Sequence, residues 1–356
     1  NTRIYASNIG IVGEFADGEV ILNDSEVTVT DAGNVIEIWN ATKITINSGT
    51  FDSRASDGGI QGETNVTING GNIQISASDD GITSNGPVLV TGGDINIINS
   101  YEGIEGLNVT ITGGNININA RDDGLNARDG NAVRDFRGRP MMHGQANPDI
   151  YVRITGGTVN VYARGDGIDS NNNIFLEGGT LLVSGPSMGM EGAIDFDGTF
   201  LITGGKLVTA GSVLNVSGQS TQPFLYVTYN QQLPTGTNIE VRDARNNALL
   251  NYTALTSFRI SGFTSPDFVI GETYSVFIND QKTADITLGS MITSLGGGNT
   301  MGRNPGNFGT RVNPGSRGFD LPEMPNPGDF RNMPNFPEMP DRGRRMEQPV
   351  PPSTRL

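Results

Sequence analysis

Hydrophobic and polar residues alternate in short runs along much of the chain, and residues 66–87 show the pattern most clearly. Apolar residues stand at every second position in two runs on either side of a Gly-Gly pair, namely Val66 and Ile68, then Ile73, Ile75 and Ala77. An Asp-Asp-Gly turn at 79–81 then leads to another apolar residue, Ile82. Alternation with a period of two, interrupted by glycine turns, predicts β-strands rather than helix.

The same stretch recurs along the chain at a nearly constant interval. Gly-Gly pairs stand at 70–71, 92–93, 113–114, 156–157, 178–179 and 204–205, with steps of 22, 21, 43, 22 and 26 residues. The 43-residue step corresponds to two periods with an insertion. Apolar positions coincide between repeats in two columns: Ile46, Ile68, Val90, Ile111, Ile154 and Leu176, and Phe51, Ile73, Ile95, Ile116, Val159 and Leu181. The pattern predicts an all-β solenoid, a parallel β-helix of about 22 residues per coil with like side chains stacked about 4.8 Å apart.

The repeat divides the chain into four parts. Residues 1–43 are predicted to form irregular first coils, with Trp39 closing the end of the core. Residues 44–211 form the regular β-helix, from which residues 128–150 loop out because they break the rhythm with Gly, Pro and Arg. Residues 212–295 predict a small antiparallel sheet or sandwich, which we interpret as a cap on the solenoid rather than a separate ligand-binding domain. Residues 296–356 contain eleven Pro and predict an extended, polyproline-like tail.

Charge and composition limit the classes of partner. The chain has no Cys, which excludes a disulfide framework and a thiolate metal site. Its net charge is −15; the tail from residue 296 carries eight Arg against six Asp and Glu, so the body carries −17. An acidic body argues against nucleic acid and anionic membranes. We recognise no membrane span and no signal peptide in this sequence, and its start at Asn1 indicates a processed or trimmed chain, so we expect an extracellular, secreted protein.

Acidic residues recur at the second turn of each repeat. Asp80, Glu102, Asp123 and Asp166 occupy the same position in their coils; Asp57, Asp79 and Asp122 precede that position, and Glu105 and Asp169 follow it by three residues. Stacked carboxylates repel one another, so ionising them together requires a cation. Oxygen ligands in flexible turns suit Ca²⁺ better than zinc. The alternatives are that Asp-Gly simply makes a good turn, or that Arg121 and Arg164 neutralise part of the column.

A series of motifs carries a family resemblance. In chain order they are SDDGITSNG (78–86), SYEGIEG (100–106), RDDGLNA (121–127), GDGIDSNNNIFLEGGT (165–180) and GAIDFDGT (192–199), followed by GETYSVF (271–277). This order, with the insertion after RDDGLNA, resembles the bacterial secreted carbohydrate-binding β-helix family related to polysaccharide lyases, over residues 44–295. The N-terminal part is shorter than is usual there, and the tail is rich in Pro, Asn and Arg where family tails are mainly Gly and Met.

The resemblance has consequences for fold, metal and ligand. It implies a right-handed parallel β-helix that binds calcium and is linked to cellulose and pectin-type polysaccharides. Transferred to this sequence, the resemblance implies that the metal ligands are Asp79, Asp80, Glu102, Glu105, Asp122, Asp123, Asp166 and Asp169. Asp195 and Asp197 are weaker candidates.

Three classes of function remain open. A lyase would need a base from among Arg121, Arg128, Arg164 and Lys206, none of which stands in a catalytic motif, and a hydrolase would need two opposed carboxylates. We therefore expect no enzymatic activity. A polysaccharide-binding module, acting on an acidic or plant-type glycan, would use the outward aromatic residues Tyr101, Tyr151 and Tyr162.

The third class is a structural subunit. The tail offers apolar and cationic contacts to another copy of the chain: Phe308, Phe319, Phe330, Phe336, Arg342, Arg344 and Arg345. Our favoured interpretation is a non-catalytic, calcium-stabilised β-helix that assembles into an extracellular filament by coil-end stacking and tail strapping, with polysaccharide binding in addition. The alternative is a monomeric secreted module that binds cellulose or pectin-type glycans; a calcium-dependent lyase ranks last.

Overall fold

The computed structural model describes most of the chain. The described residues are 3–6, 11–14, 19–30, 36–39, 43–54, 58–129, 147–187, 191–213 and 216–296. Asp57, most of the predicted insertion (130–146) and the tail (297–356) lie outside this set, as does the side chain of Trp39.

The described residues form β-strands joined by turns and contain no helix, hence none that could cross a membrane. The strands of the solenoid are β1 (Arg3–Ala6), β2 (Ile11–Glu14), β3 (Glu19–Leu22), β4 (Ser25–Thr30), β5 (Ile36–Trp39), β6 (Lys43–Ile46), β7 (Gly49–Arg54), β8 (Ile60–Gly62), β9 (Asn65–Ile68), β10 (Asn72–Ser76), β11 (Ile82–Ser84), β12 (Val88–Val90), β13 (Asp94–Ser100), β14 (Ile104–Gly106), β15 (Asn108–Ile111), β16 (Asn115–Ala120), β17 (Leu125–Ala127), β18 (Tyr151–Ile154), β19 (Thr158–Ala163), β20 (Ile168–Ser170), β21 (Asn173–Ser184) and β22 (Phe200–Ala210). The C-terminal region adds β23 (Phe224–Leu233), β24 (Asn238–Arg242), β25 (Ala248–Thr253), β26 (Phe258–Thr264), β27 (Thr273–Ile278), β28 (Gln281–Thr287) and β29 (Ile292–Leu295).

The solenoid has three faces of parallel strands. The first face comprises β3, β6, β9, β12, β15, β18 and the N-terminal halves of β21 and β22. The second face comprises β1, β4, β7, β10, β13, β16, β19 and the C-terminal halves of β21 and β22. The third face is the seven-stranded sheet β2-β5-β8-β11-β14-β17-β20. Each coil from β3 to β20 contributes one strand to each face, and Ile46 pairs with Ile68, 22 residues later, as the repeat predicts.

The core consists of stacked aliphatic columns. Both predicted columns are confirmed by the register of the first and second faces. A third column on the third face completes the core, and its members are buried at 1% exposure or less: Ile60, Ile82, Ile104, Leu125 and Ile168. Burying an aliphatic side chain contributes about 1.5–3 kcal/mol, so each coil adds several such contributions from its inward positions.

Glycine pairs form the corner between the first and second faces. The second glycine of each pair has a positive φ, between 73° and 105° over the six predicted pairs, a conformation that other residues rarely adopt. The first glycine lies against the preceding coil; a Cβ on Gly113 would stand 2.4 Å from the carbonyl oxygen of Thr91. The two positions therefore need glycine for different reasons, one for its φ and the other for close approach.

The C-terminal strands cover the last coil. Strand β26 pairs antiparallel with both β22 and β23, so it satisfies main-chain groups of the final coil on the second face. The antiparallel sheet β25-β24-β27-β28 joins the same region through a 2.6 Å hydrogen bond between the hydroxyls of Tyr252 and Ser184. Val208, which points outward from β22, is consequently buried. The antiparallel pairing predicted for residues 212–295 is present in β23 to β28, whereas β29 pairs parallel with β23.

We expect Gly114→Ala to destabilise the solenoid. The new Cβ would stand 2.9 Å from the carbonyl oxygen of Gly93, and alanine would have to adopt a φ of 95°. These two effects should together lower the free energy of unfolding by about 2–4 kcal/mol, measured by chemical denaturation. Gly218→Ala is the matched control, because a Cβ there meets nothing within 4 Å, and it should change stability by less than about 0.5 kcal/mol. Equal effects of the two variants would contradict this account of the corner.

Candidate functional site

The acidic turn lies between the second and third faces, and main-chain hydrogen bonds hold it in register. The N–H of Gly81 donates to the carbonyl of Glu102, that of Gly103 to Asp123, and that of Gly124 to Asp166, each at 2.9 Å. Each acidic residue therefore sits directly beside its counterpart in the next coil. The register aligns Asp80, Glu102, Asp123 and Asp166 in one column, as the sequence predicts.

Three of these carboxylates also accept main-chain N–H groups from the coil that follows. Oδ1 of Asp80 accepts the N–H of Glu102 at 3.2 Å, and Oδ1 of Asp123 accepts that of Asp166 at 2.7 Å. Oδ1 of Asp166 accepts the N–H of Gly192 at 2.5 Å. These bonds point the side chains along the solenoid axis, toward one another, and stabilise their ionised forms.

A second polar column runs beside the first, on the third face. Strand pairing places Glu105 next to Asn126, and Asn126 next to Asp169. The bridge between Ile168 and Ile194 then brings Asp195 beside Asp169. The acidic turn and this strand column together form a ridge rich in oxygen atoms.

Carboxylates from the two columns, together with Glu191, gather into three clusters. In each cluster the possible ligand atoms lie within 4.8 Å of one another: Asp80, Glu102 and Glu105 form the first cluster, Asp123, Asp166 and Glu191 the second, and Asp166, Asp169 and Asp195 the third. Of the predicted metal ligands, Asp79 and Asp122 belong to none of these clusters, and neither does the weaker candidate Asp197. Asp122 instead accepts a hydrogen bond from the hydroxyl of Tyr101, which raises the pKa of Tyr101 to about 12.

Burial and mutual repulsion make these carboxylates hard to ionise. Burial, followed by the charges of Glu105 and Asp79, raises the pKa of Asp80 to about 7. Burial is also the main reason why the pKa of Asp169 is raised to about 7 and that of Asp123 to about 6.

Two further carboxyls are tightly coupled to neighbours. The pKa of Glu102 is raised by burial and by its hydrogen bond to Glu105, and that of Asp166 by burial and by its hydrogen bond to Glu191. In the absence of a cation, protons shared between these acids reduce the repulsion.

The first cluster has two additional polar neighbours. Nδ2 of Asn126 donates to Oε2 of Glu102 at 2.9 Å and to Oε2 of Glu105 at 3.3 Å. Arg128 holds both oxygens of Glu105, with Nε–Oε2 at 2.5 Å and Nη2–Oε1 at 2.7 Å. In the part of the chain that the structure describes, the second and third clusters form no ion pair with Arg or Lys.

The donor set fits calcium. Two oxygens on opposite sides of a bound Ca²⁺ stand about 5 Å apart, and the clusters bring theirs within 4.8 Å. Asn126 is 4% exposed and its Oδ1 is buried without a hydrogen-bond partner, although its amide contacts two carboxylates of the first cluster. An orphaned amide oxygen beside carboxylates is the kind of ligand that Ca²⁺ accepts. The clusters contain no His or Cys, which disfavours zinc.

The three predicted tyrosines lie in different places. Tyr101 is 45% exposed in the acidic turn, with the guanidinium carbon of Arg121 5.8 Å from its ring centre. Tyr162 is half-buried and points outward on the second face, whereas Tyr151 points outward on the first face. The structure therefore does not bring them together into one surface.

Tyr151 belongs to a patch with residues that the sequence analysis missed. Its ring meets that of Phe175 edge-on, with centroids 6.0 Å apart. The guanidinium of Arg153 lies 4.3 Å from the ring centre of Phe175 and 5.4 Å from that of Tyr151, and it is paired with Glu177. We call these four residues, Tyr151, Arg153, Phe175 and Glu177, the aromatic patch.

Several of the possible catalytic bases are already engaged. Arg121 donates to the main-chain oxygens of Ser78 and Ser100, and Lys206 donates to the carbonyl of Leu249 at 3.1 Å. Arg128 is bound to Glu105, while Arg164 is exposed. These contacts occupy three of the four side chains that the sequence analysis considered as bases.

The residues that the sequence analysis overlooked share a reason. Glu191 follows the regular repeat and Asn126 is uncharged, so neither matches the acidic column. Phe175 lies inside an apolar run, so it does not stand out as an exposed aromatic residue. The alternation of β21 identifies Phe175 in retrospect, because it lies between the inward Ile174 and Leu176 and must point outward.

Comparison with known proteins gives a family match. A family model described as "Carbohydrate-binding domain-containing protein" matches residues 2–136 and again residues 76–221. The two matches overlap, as a repetitive chain allows, and together they span well over half of the chain. No curated protein and no solved structure gives a significant match.

The raised pKa values predict an unusual dependence of stability on pH. The native pKa values of Asp80, Asp123 and Asp169 are about 7, 6 and 7, against about 3.9 in the unfolded chain. The native state therefore binds more protons between about pH 4 and 7, and its stability falls as the pH rises through this range. In chelator, we expect a lower melting temperature at pH 8 than at pH 5.

A matched variant isolates the contribution of these three acids. Replacing Asp80, Asp123 and Asp169 together by Asn should reduce the difference in melting temperature between pH 5 and pH 8. If the triple variant shows the same difference as the unaltered protein, these three acids are not its source.

Proposed function

The chain belongs to the family of carbohydrate-binding domain-containing proteins, and on this premise we propose that it is a non-catalytic extracellular protein that binds polysaccharide on the first face of its solenoid. The observation that carries the proposal is the aromatic patch. Calcium in the acidic turn stabilises the coils in this proposal, and the tail joins copies of the chain.

The aromatic patch supplies the surface that a sugar ring requires. The rings of Tyr151 and Phe175 project from adjacent coils and offer apolar area, while the guanidinium of Arg153 and the carboxylate of Glu177 offer hydrogen bonds beside it. Recognition sites combine apolar area with a few placed polar groups in this way. Aromatic residues also add binding area at a low cost in side-chain entropy.

The rest of the first face favours a neutral glycan. Among its outward positions from Asn65 to Phe175, Arg153 alone carries a charge, and that charge is balanced by Glu177. Hydroxyl and amide groups line the adjoining corner, where Nδ2 of Asn69 donates to Asn47 at 2.7 Å and the hydroxyl of Thr91 donates to Asn69 at 2.8 Å. Such a face suits an extended neutral polysaccharide that runs across several coils. An anionic glycan would gain no net attraction there.

Binding accounts for the site better than catalysis does. The acids are grouped in repeating clusters rather than opposed across a cleft, and most of the basic residues that could remove a proton are bound to neighbours. Hydrolysis of a glycosidic bond needs two separated carboxyls with different roles. We therefore propose no reaction for this protein.

Calcium is the second part of the proposal. The residues that would hold it are Asp80, Glu102, Glu105 and Asn126 in the first cluster, and Asp123, Asp166, Asp169, Glu191 and Asp195 in the second and third. A bound divalent cation would neutralise carboxylates that otherwise repel across coils. Extracellular calcium modules work at about 10⁻⁴–10⁻³ M, which agrees with a protein that acts outside the cell.

We expect Phe175→Ala to weaken binding to a neutral β-linked glucan by at least about tenfold, equivalent to about 1.4 kcal/mol. The loss follows because the variant removes half of the aromatic surface while leaving the core column intact. Native affinity electrophoresis in gels that contain soluble glucan measures it. Tyr162→Ala is the matched control, because it removes an aromatic side chain from the second face.

Polygalacturonate serves as the competing ligand in the same gels. Binding of polygalacturonate, with no retention by neutral glucan, would contradict the assignment of a neutral ligand. Retention by glucan that Phe175→Ala leaves unchanged would contradict the location on the first face.

We expect calcium to raise the melting temperature at pH 8, with much less effect from magnesium, which demands a stricter octahedral geometry. At a calcium concentration a hundred times the dissociation constant, one site adds about 2.7 kcal/mol of stability. Asp166→Asn should remove most of this gain because Asp166 belongs to two clusters, whereas Asp94→Asn, an exposed acid on the second face, should leave it unchanged. A melting temperature indifferent to both chelator and millimolar calcium would refute this part of the proposal.

Self-assembly is the third part, and charge supports it. The tail from residue 296 carries a net charge of +2 beside a body of −17, so it is attracted to the acidic surface of another copy. Its aromatic residues, Phe308, Phe319, Phe330 and Phe336, are spaced as apolar anchors. Strand β26 already pairs with the last coil, so we propose that the tail, rather than coil-end stacking at this end, makes the contact between copies.

Removal of residues 297–356 should abolish assembly and leave the β-helix folded. Sedimentation and electron microscopy in calcium measure the assembly, and circular dichroism checks the fold. Replacing the four tail phenylalanines by Ser is the finer variant, because it keeps the length and charge of the tail. A full-length protein that sediments as a monomer at high concentration with calcium present would exclude the filament.

A further inference from the structure

Arg128 occupies an unusual position for a charged side chain. Its main chain continues the coil, since its N–H donates to the carbonyl of Gly106 at 2.9 Å. Its side chain turns back onto the preceding coil and holds both carboxylate oxygens of Glu105. A two-point contact of this kind is stronger and more specific in geometry than a single hydrogen bond between the same charges. Glu105 is 6% exposed, so the pair is shielded from solvent on the carboxylate side.

Two carboxylates and one amide surround Glu105. Asp80 and Glu102 each place a carboxylate oxygen within 4.8 Å of a carboxylate oxygen of Glu105. Asn126 directs its amide N–H groups to Glu102 and Glu105. Oδ1 of Asn126 is left buried without a hydrogen bond. The first cluster thus satisfies its carboxylates with protein donors, at the cost of one orphaned amide oxygen.

We propose that Arg128 is a built-in counter-ion that calcium must displace from the Asp80–Glu102–Glu105 cluster. This inference rests on the proposed binding of calcium. Oε2 of Glu105 already accepts from Arg128 and Asn126, and Oε1 accepts from Arg128 and from the hydroxyl of Thr83 at 3.5 Å, so the lone pairs of this carboxylate are occupied. A divalent cation reaches Glu105 only by displacing a donor, and among these donors Arg128 alone carries a positive charge that the cation repels. Once Arg128 has been displaced, the amide of Asn126 turns over, so that Oδ1 faces the calcium ion that the carboxylates bind. The orphaned oxygen then has the cation as its partner.

The other clusters have no such competitor in the described part of the chain. Asp123, Asp166, Glu191, Asp169 and Asp195 form no ion pair there, so a cation that binds them displaces no charged side chain. The protein therefore has two classes of calcium site. The second and third clusters fill first, and the first cluster fills at a higher concentration that is set by the strength of the Arg128–Glu105 pair.

Calorimetric titration of the full chain with calcium alone tests the proposal. The unaltered protein should show a tight phase and a weak phase. Arg128→Gln should tighten the weak phase by about tenfold or more, because the competing charge is gone. Arg164→Gln is the matched control, since Arg164 is an exposed residue next to the same column with no contact to Glu105, and it should leave the weak phase nearly unchanged.

A second variant keeps the test independent of folding defects in the first. Arg128→Lys retains the charge and the aliphatic stem but cannot hold both oxygens, so its weak phase should lie between those of the unaltered protein and Arg128→Gln. Equal affinities for all three side chains at position 128 would overturn this proposal alone. Absence of any calcium binding, by the unaltered protein and every variant, would overturn both this proposal and the calcium part of the proposed function.

Discussion

Hydrogen bonding between successive coils is the constraint from which the rest of the structure follows. Parallel pairing places each residue beside its equivalent in the next coil, about 4.8 Å away. Inside the solenoid this is favourable, because identical aliphatic side chains stack into continuous columns such as that of Ile60, Ile82 and Ile104. At the corner it leaves no room for a side chain, so a residue such as Gly113 must lie against the backbone of the coil before it.

The same register makes the acidic turn costly. Two like charges about 4.8 Å apart repel by about 3.5 kcal/mol at an effective dielectric constant of 20. The chain offsets this repulsion with main-chain N–H groups directed at Asp80 and Asp123, with protons shared by coupled acids such as Glu102, and with Arg128. The protonation of these acids depends on pH. We therefore expect the stability of the solenoid to respond to the surroundings at the acidic turn.

The three faces divide the surface into regions of different character. The acidic turn and the strand column beside it gather acidic residues at one corner. The first face is almost uncharged and carries the aromatic patch, which includes Tyr151 and Phe175. At the last coil the C-terminal strands cover the outer side of the second face, and outward residues such as Val208 are buried there. Membership of a carbohydrate-binding family is most simply reconciled with the region that is exposed, neutral and aromatic.

The sequence by itself determined the coil, its length, the core columns and the alignment of the acidic residues, because each coil contacts only its neighbours and a fixed period maps directly onto register. Tertiary structure decided which side chains meet. Glu191 joins Asp166 where the spacing of the repeat has changed, and Arg128 turns back onto Glu105 from the edge of an insertion. Such contacts depend on the path of irregular turns and on side-chain conformation, which a repeating pattern does not encode.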